Sequence, residues 1–234
     1  MLQKKLIFLH GWVGKYIINK NENIYDFYKG LIEELKKFFD VEFIILPGFS
    51  NNPEPDKPYT LDDYVEYLKK FLEEKGIDQF YLMGHSFGGQ VACKFAYLYP
   101  ERVEKLILYN AACVRKKNFK RLVFKKISKL FKNISNIFIK KIIYKILTGT
   151  TTPAYYSEVM KKTMSNVIEE DLTEILPQVK VNSLIIWGRK DKLTPMWQGK
   201  LIHRLIKNSQ LIIHPAGDHN FHKKDPMFIV NHII

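Results

Sequence analysis

The sequence predicts an α/β architecture: a mostly parallel central sheet flanked by helices and interrupted by one inserted helical segment. Two observations carry this reading. Short apolar runs alternate with longer amphipathic ones, the pattern of strands joined by crossover helices. The alternation then stops between about Ala111 and Val181, where helical signals continue without a convincing strand.

Six runs read as strands: Lys5 to Leu9, Glu42 to Leu46, Gln79 to Met83, Lys105 to Tyr109, Ser183 to Trp187 and Gln210 to His214. Helices are expected over Ile24 to Phe39, Leu61 to Lys75, Gly88 to Tyr99 and Pro195 to Ile206. Thr60 with Asp63 resembles a capping box, Gly76 is a stop signal, and Thr194 is expected to cap a helix that opens on Pro195. The loop Pro47 to Tyr59, rich in Pro, Asn and Gly, is expected near a strand's carboxyl end, where open α/β sheets bind ligands. Residues 1–110 and 182–234 are thus assigned to the core, and 111–181 to a helical cap. Within the cap, Phe119 to Phe131 and Ile134 to Ile146 carry apolar stripes at helical spacing.

At 234 residues, with 46% hydrophobic and 26% charged, the chain suits one substantial globular core rather than a disordered or fibrous protein. Two cysteines, Cys93 and Cys113, indicate neither a disulfide framework nor a multi-cysteine metal site, and both are expected to be buried. The apolar run after the basic start is only Leu6 to Leu9, too short for a signal peptide, and no run approaches a membrane span, so a cytoplasmic location is expected. The net charge of +13 is local. Between Cys113 and Thr150 there are twelve Lys or Arg and no Asp or Glu, while the rest of the chain holds 25 basic and 24 acidic residues. A patch confined to one segment argues against a nucleic-acid binder. It is read first as a solvated helical face, then as a weak contact with an anionic membrane surface, then as recognition of an anionic substrate.

The strongest chemical signal is Gly84-His85-Ser86-Phe87-Gly88-Gly89, which follows a strand-like run and opens a helix with small early positions. A sharp turn there exposes the Ser86 hydroxyl as a nucleophile, and the small neighbours let two backbones approach closely. Serine needs a base and the base an orienting acid, in the chain order Ser, Asp, His. Asp191, between a strand and a helix, and His219, in the loop past the last strand, fill those places. Asp218 is read as solvated and His222 as packed where the final helix begins. Backbone N–H groups of Phe87 and Trp12 are the expected oxyanion donors, with Trp12 in the loop His10-Gly11-Trp12 after the first strand. His10 is read as a structural residue that holds this loop.

His10-Gly11-Trp12, Gly84 to Gly89, Trp187-Gly188-Arg189-Lys190-Asp191 and Gly217-Asp218-His219 together resemble, in order and from end to end, the α/β-hydrolase superfamily, in its cofactor-free esterase-like branch with a helical cap. The resemblance implies a Ser-Asp-His triad, an acyl-enzyme intermediate, a small-molecule acyl substrate and neither metal nor organic cofactor. The family commonly begins with an antiparallel hairpin, whereas here Met1 lies almost at the first strand, so a trimmed member or a missing segment is expected. Some relatives place the acid after the earlier strand, near Asn110, which has no carboxylate. Serine at the elbow argues against haloalkane displacement. Ester or thioester hydrolysis, C–C bond hydrolysis, acyl transfer and aminopeptidase action all use such a triad, and a non-catalytic small-ligand receptor could share the scaffold.

Overall fold

The structure, a computed structural model, describes residues 3–13, 23–115 and 156–234. The chain divides into two compact units, Met1–Arg115 with Glu158–Ile234, and Lys116–Ser157; the first is described here. Its strands are β1 (Lys4–Leu9), β2 (Phe39–Ile44), β3 (Phe80–His85), β4 (Val103–Tyr109), β5 (Ser183–Gly188) and β6 (Ser209–His214). They form one parallel sheet in the order β2-β1-β3-β4-β5-β6. The described helices are α1 (Ile24–Lys36), α2 (Leu61–Glu74), α3 (Phe87–Leu98), α4 (Glu158–Glu169), α5 (Met196–Leu205) and α6 (Pro226–Ile233).

The middle strands are covered on both faces, so they read as continuous apolar runs: Leu6 to Leu9 and Leu184 to Gly188 are all buried. Helices bury one stripe each, as Phe27, Tyr28, Leu31, Ile32 and Leu35 do in α1. The Thr60–Asp63 capping box is present, with Asp63 Oδ2 accepting from Thr60 N at 2.7 Å. Gly76 lies at φ +63° just past α2, where its N–H reaches the Glu73 carbonyl at 3.0 Å.

Most element ends lie within two residues of the sequence reading; the largest departure is at the junction of α1 and β2. Helix α1 stops at Lys36, not Phe39, and β2 begins three residues before the expected Glu42. Phe39 pairs with Lys4 and is buried, so the alternation Phe39-Asp40-Val41-Glu42-Phe43 belongs to the edge strand, and its period overlaps the tail of the helical pattern. Thr194 does not cap α5, which has Pro195 at its N-cap and no side-chain cap bond; its hydroxyl is engaged elsewhere.

The apolar stripes expected within the cap lie outside the described residues, as does most of the basic segment. Its described flank, Arg115, is used internally: Nε donates to the Ile168 carbonyl at 2.7 Å, and Nη2 donates to Gln90 Oε1 and the Val167 carbonyl. A cation and the Gln90 amide thus satisfy the last turn of α4. Residues 111–115 and 158–181 belong to the same compact unit as the sheet. Among the described residues no helix is long and apolar enough to cross a membrane.

The strand order reverses between β1 and β3, which places a crevice at their carboxyl ends. Leu9 pairs with Gly84, so the loop from His10 and the turn at Ser86 leave the sheet side by side. The close approach is enforced at glycines. A methyl on Gly84 would collide with the backbone of Gly88, and one on Gly88 with the carbonyls of Leu9 and His10.

Two Gly→Ala substitutions therefore have opposite expected signs. Gly30→Ala, in open space within α1, gains about 0.5–1 kcal/mol of stability. Gly88→Ala, facing backbone that cannot yield, loses about 3 kcal/mol or more. Urea unfolding of both variants checks the pair.

Candidate active site

Ser86 forms the turn between β3 and α3, at φ 52° and ψ −113°, a conformation costly for a residue with a side chain. It is held there by its backbone. Ser86 N donates to the Tyr109 carbonyl at 3.0 Å, and its carbonyl accepts from Gln90 N and Ala112 N. Phe87 is the first residue of α3, so its N–H has no partner within the helix and points with the positive end of the dipole.

The loop after β1 packs directly on this turn. A methyl on Gly11 would lie 3.2 Å from Ser86 Cβ, which leaves no room for a side chain between Trp12's loop and the serine. His10 fixes the loop: its Nδ1–H donates to the Gly11 carbonyl at 2.7 Å, and its Nε2 accepts from Leu46 N at 3.0 Å. Burial pushes its pKa down to about 4, so it stays neutral, as its structural role requires. The Trp12 ring packs edge-on against Phe49 and Phe87, with centroids 4.9 and 5.2 Å apart.

Asp191 follows β5, and its carboxylate is saturated. Oδ1 accepts from Leu193 N at 2.8 Å and Thr194 N at 2.9 Å, while Oδ2 lies 2.7 Å from both Thr194 Oγ1 and His219 Nδ1. Its side chain is wholly buried, so these bonds are what make the buried charge tolerable. The Thr194 hydroxyl has one proton; the charge-assisted bond to Asp191 takes it in preference to the Asn110 carbonyl at 3.1 Å.

His219 hangs on the loop after β6, which is stapled to the acid's loop by Lys190 N donating to the Gly217 carbonyl at 2.8 Å. Its carbonyl accepts from Asn110 Nδ2 and from His85 Nε2, each at 2.9 Å. The Tyr109 hydroxyl lies 3.3 Å from the same carbonyl, so three side chains from β3, β4 and the residue after β4 converge on it. With Nδ1–H committed to Asp191, the neutral imidazole carries its lone pair on Nε2. Asp218 is exposed, and its Oδ1 accepts from Asn220 N.

The structure brings Asp191 and His219 together by a direct bond; Ser86 is tied to this pair by chain adjacency to His85, whose ring centroid is 4.8 Å from that of His219. Around this set lie supports the sequence reading did not assign. Asn110, at φ 44°, accepts from Gly188 N at 2.8 Å and so joins the ends of β4 and β5 to the His219 loop. Tyr28 and Tyr109 look like core residues on apolar stripes, and nothing in their spacing distinguishes them. His222 is buried with its ring stacked 4.8 Å from Tyr28, and burial pushes its pKa down to about 3. Among the described residues no group of three or more His, Cys, Asp or Glu is arranged to hold a metal ion.

The sequence model that matches residues 4–140 is that of the alpha/beta hydrolase fold. The chain belongs to the α/β-hydrolase fold family. It is 26% identical over 227 residues to the uncharacterized hydrolase YugF of Bacillus subtilis, covering 88% of this chain and 83% of that protein. It is also 26% identical over 202 residues to the serine hydrolase BPHL of Homo sapiens, covering 80% of this chain and 65% of BPHL. A meta-cleavage product hydrolase from Pseudomonas fluorescens shares the fold, with a TM-score of 0.72 at 19% identity over 99% of this chain and 90% of that one.

The buried neutral histidines of this α/β-hydrolase core set its acid sensitivity. His10 and His222 have folded pKa values below the unfolded 6.5, so the unfolded chain binds protons first as pH falls. Stability contributed by their neutral burial is full above about pH 7. It is lost progressively between pH 6.5 and about 4, by about 3 kcal/mol for His10 alone. Urea midpoints between pH 7.5 and 4.5 should fall accordingly, and less steeply in His222→Gln.

Proposed function

We propose that this chain is a serine hydrolase that cleaves an ester or thioester of a small acyl substrate through an acyl-enzyme intermediate. Ser86 is the nucleophile, His219 the general base and acid, and Asp191 the residue that orients His219. The observation that carries this reading is the 2.7 Å bond between His219 Nδ1 and the buried Asp191 carboxylate, with the His219 carbonyl bonded to His85, the residue before the strained Ser86 turn.

In the first step, Ser86 Oγ attacks the substrate carbonyl carbon as its proton passes to His219 Nε2. The resulting imidazolium is stabilised by the Asp191 carboxylate, which is held in place by four hydrogen bonds. The oxyanion is met by the backbone N–H groups of Phe87 and Trp12. Collapse of the intermediate expels an alkoxide or thiolate, which takes the proton from His219. Water then gives its proton to His219 and attacks the acyl carbon, and the proton returns to Ser86 Oγ as the acid leaves. The similarity to BPHL, a serine hydrolase, supports this chemistry.

A second reading is hydrolysis of a C–C bond by the same residues. It is favoured by the likeness to the Pseudomonas fluorescens meta-cleavage product hydrolase. The two differ in the leaving group, which is carbon rather than oxygen or sulfur.

Steady-state kinetics on p-nitrophenyl acetate, a thioester and a diketone separate these readings. Ester or thioester turnover is expected in the wild-type chain. Ser86→Ala and His219→Ala should lower kcat by about 10⁴-fold or more, and Asp191→Asn by about 10³- to 10⁴-fold. Turnover of the diketone alone would select C–C hydrolysis. Ester turnover that survives in Ser86→Ala would overturn the mechanism.

A further inference from the structure

One set of buried polar side chains has no place in the mechanism above. Tyr28, on α1, is wholly buried among aromatic rings, yet its hydroxyl lies 2.9 Å from Gly11 N and 2.6 Å from His85 Nδ1. The Gly11 N–H can only donate, so the hydroxyl accepts there and gives its own proton to His85 Nδ1. That fixes the tautomer of His85, whose proton is then on Nε2 and is donated to the His219 carbonyl at 2.9 Å. The result is one directed chain of bonds: Gly11 N–H to Tyr28 O–H to His85 to the His219 carbonyl.

Its two ends are functional. Gly11 immediately precedes Trp12, the oxyanion donor, and His219 is the base. Ser86 follows His85 in the chain and adjoins the Gly11 end: a methyl on Gly11 would come within 3.2 Å of both Ser86 Cβ and Tyr28 Oη, and 2.9 Å of His85 Nδ1. Resting on the serine-hydrolase reading, we infer that Tyr28 and His85 are positioning residues that hold the oxyanion loop and the catalytic histidine in register.

Both members keep one polarity throughout the working range. Burial, then the nearby His219 and His222, hold His85 well below the usual histidine pKa, and burial pushes Tyr28 well above the usual phenol value. The chain therefore cannot reverse or open by titration near neutral pH. A second support exists at the histidine end, where Asn110 Nδ2 donates to the same carbonyl. The oxyanion end has no such duplicate on Gly11 N among the described residues, so loss of the Tyr28 hydroxyl frees it. Misplacement of the two ends relative to each other is a transition-state defect, because the oxyanion and the transferring proton exist together only there.

The test compares Tyr28→Phe, His85→Leu, His85→Gln and the Tyr28→Phe/His85→Leu double variant, with Tyr67→Phe as a control that removes a hydroxyl bonded to Asn52. Two readouts are used: kcat and KM on p-nitrophenyl acetate, and the low-field proton resonance of His219 Nδ1–H, identified by its loss in His219→Gln. Tyr28→Phe and His85→Leu should each lower kcat by about ten- to a hundredfold with KM within about threefold. The double variant should be no worse than the poorer single, since the chain acts as a unit, and His85→Gln, which keeps a donor, should recover part of the loss. Tyr67→Phe should remain within about twofold of wild type.

The resonance should move in Tyr28→Phe although that side chain touches neither His219 nor Asp191. Losses that multiply, or an unchanged kcat and an unmoved resonance in folded Tyr28→Phe, would overturn the inference while leaving Ser86-dependent turnover intact. A wild-type chain without turnover whose resonance still moves in Tyr28→Phe would retain the coupling and reject the hydrolase reading instead.

Discussion

The close passage of α3 over the ends of β1 and β3 is the constraint on which the rest of the site depends. Gly84 and Gly88 allow it, and no side chain fits in their place. Because the helix must start immediately above the sheet, the chain turns within a single residue, and Ser86 takes a φ of 52° at a cost of about 1–3 kcal/mol. The strain is offset by bonds from Ser86 to Tyr109, Gln90 and Ala112. What the turn provides is a half-buried serine next to the first N–H groups of a helix. The reversal of strand order at β1 then brings a second loop, His10 to Trp12, against the same serine.

The opposite side of the site obeys a different rule, that a buried charge must be saturated. Asp191 is wholly buried at its side chain, and four donors surround it, three of them from Leu193, Thr194 and the Thr194 hydroxyl. Trp187 contributes at one remove, donating from Nε1 to the Thr194 carbonyl at 2.8 Å. The fourth donor is His219, whose ring direction and tautomer follow from that bond. Its backbone is fixed separately, through the carbonyl shared by Asn110 and His85. Ring and backbone are thus constrained by different elements, β5 and its loop for one, β3 and β4 for the other.

Much of this was legible in the sequence, for reasons that can be named. Ser86, Asp191 and His219 lie at strand ends, in a known chain order, among small residues whose only use is close approach. Alternating short apolar and longer amphipathic runs located the six described strands. They failed where one pattern ran into the next, at Phe39, because a buried edge-strand residue and a helical stripe residue have the same character. Thr194 was misread as a cap since a threonine before a proline has the local form of one; only the three-dimensional position of Asp191 redirects its hydroxyl. Tyr28 and Tyr109 were invisible for a stronger reason. Their rings satisfy the core pattern completely, and their hydroxyls act on Gly11, His85 and His222, partners far away in the chain. Spacing along a sequence carries no information about such bonds.

The central claim is that Ser86 is an activated nucleophile, and it is tested most directly by mapping a covalent adduct. The folded chain is treated with a fluorophosphonate, digested and analysed by mass spectrometry, beside a heat-denatured sample. The account predicts a single phosphonylated peptide with the modification on Ser86, absent from the denatured sample and strongly slowed in His219→Ala. An unmodified Ser86 in well-folded protein, or an adduct confined to another residue, would contradict it.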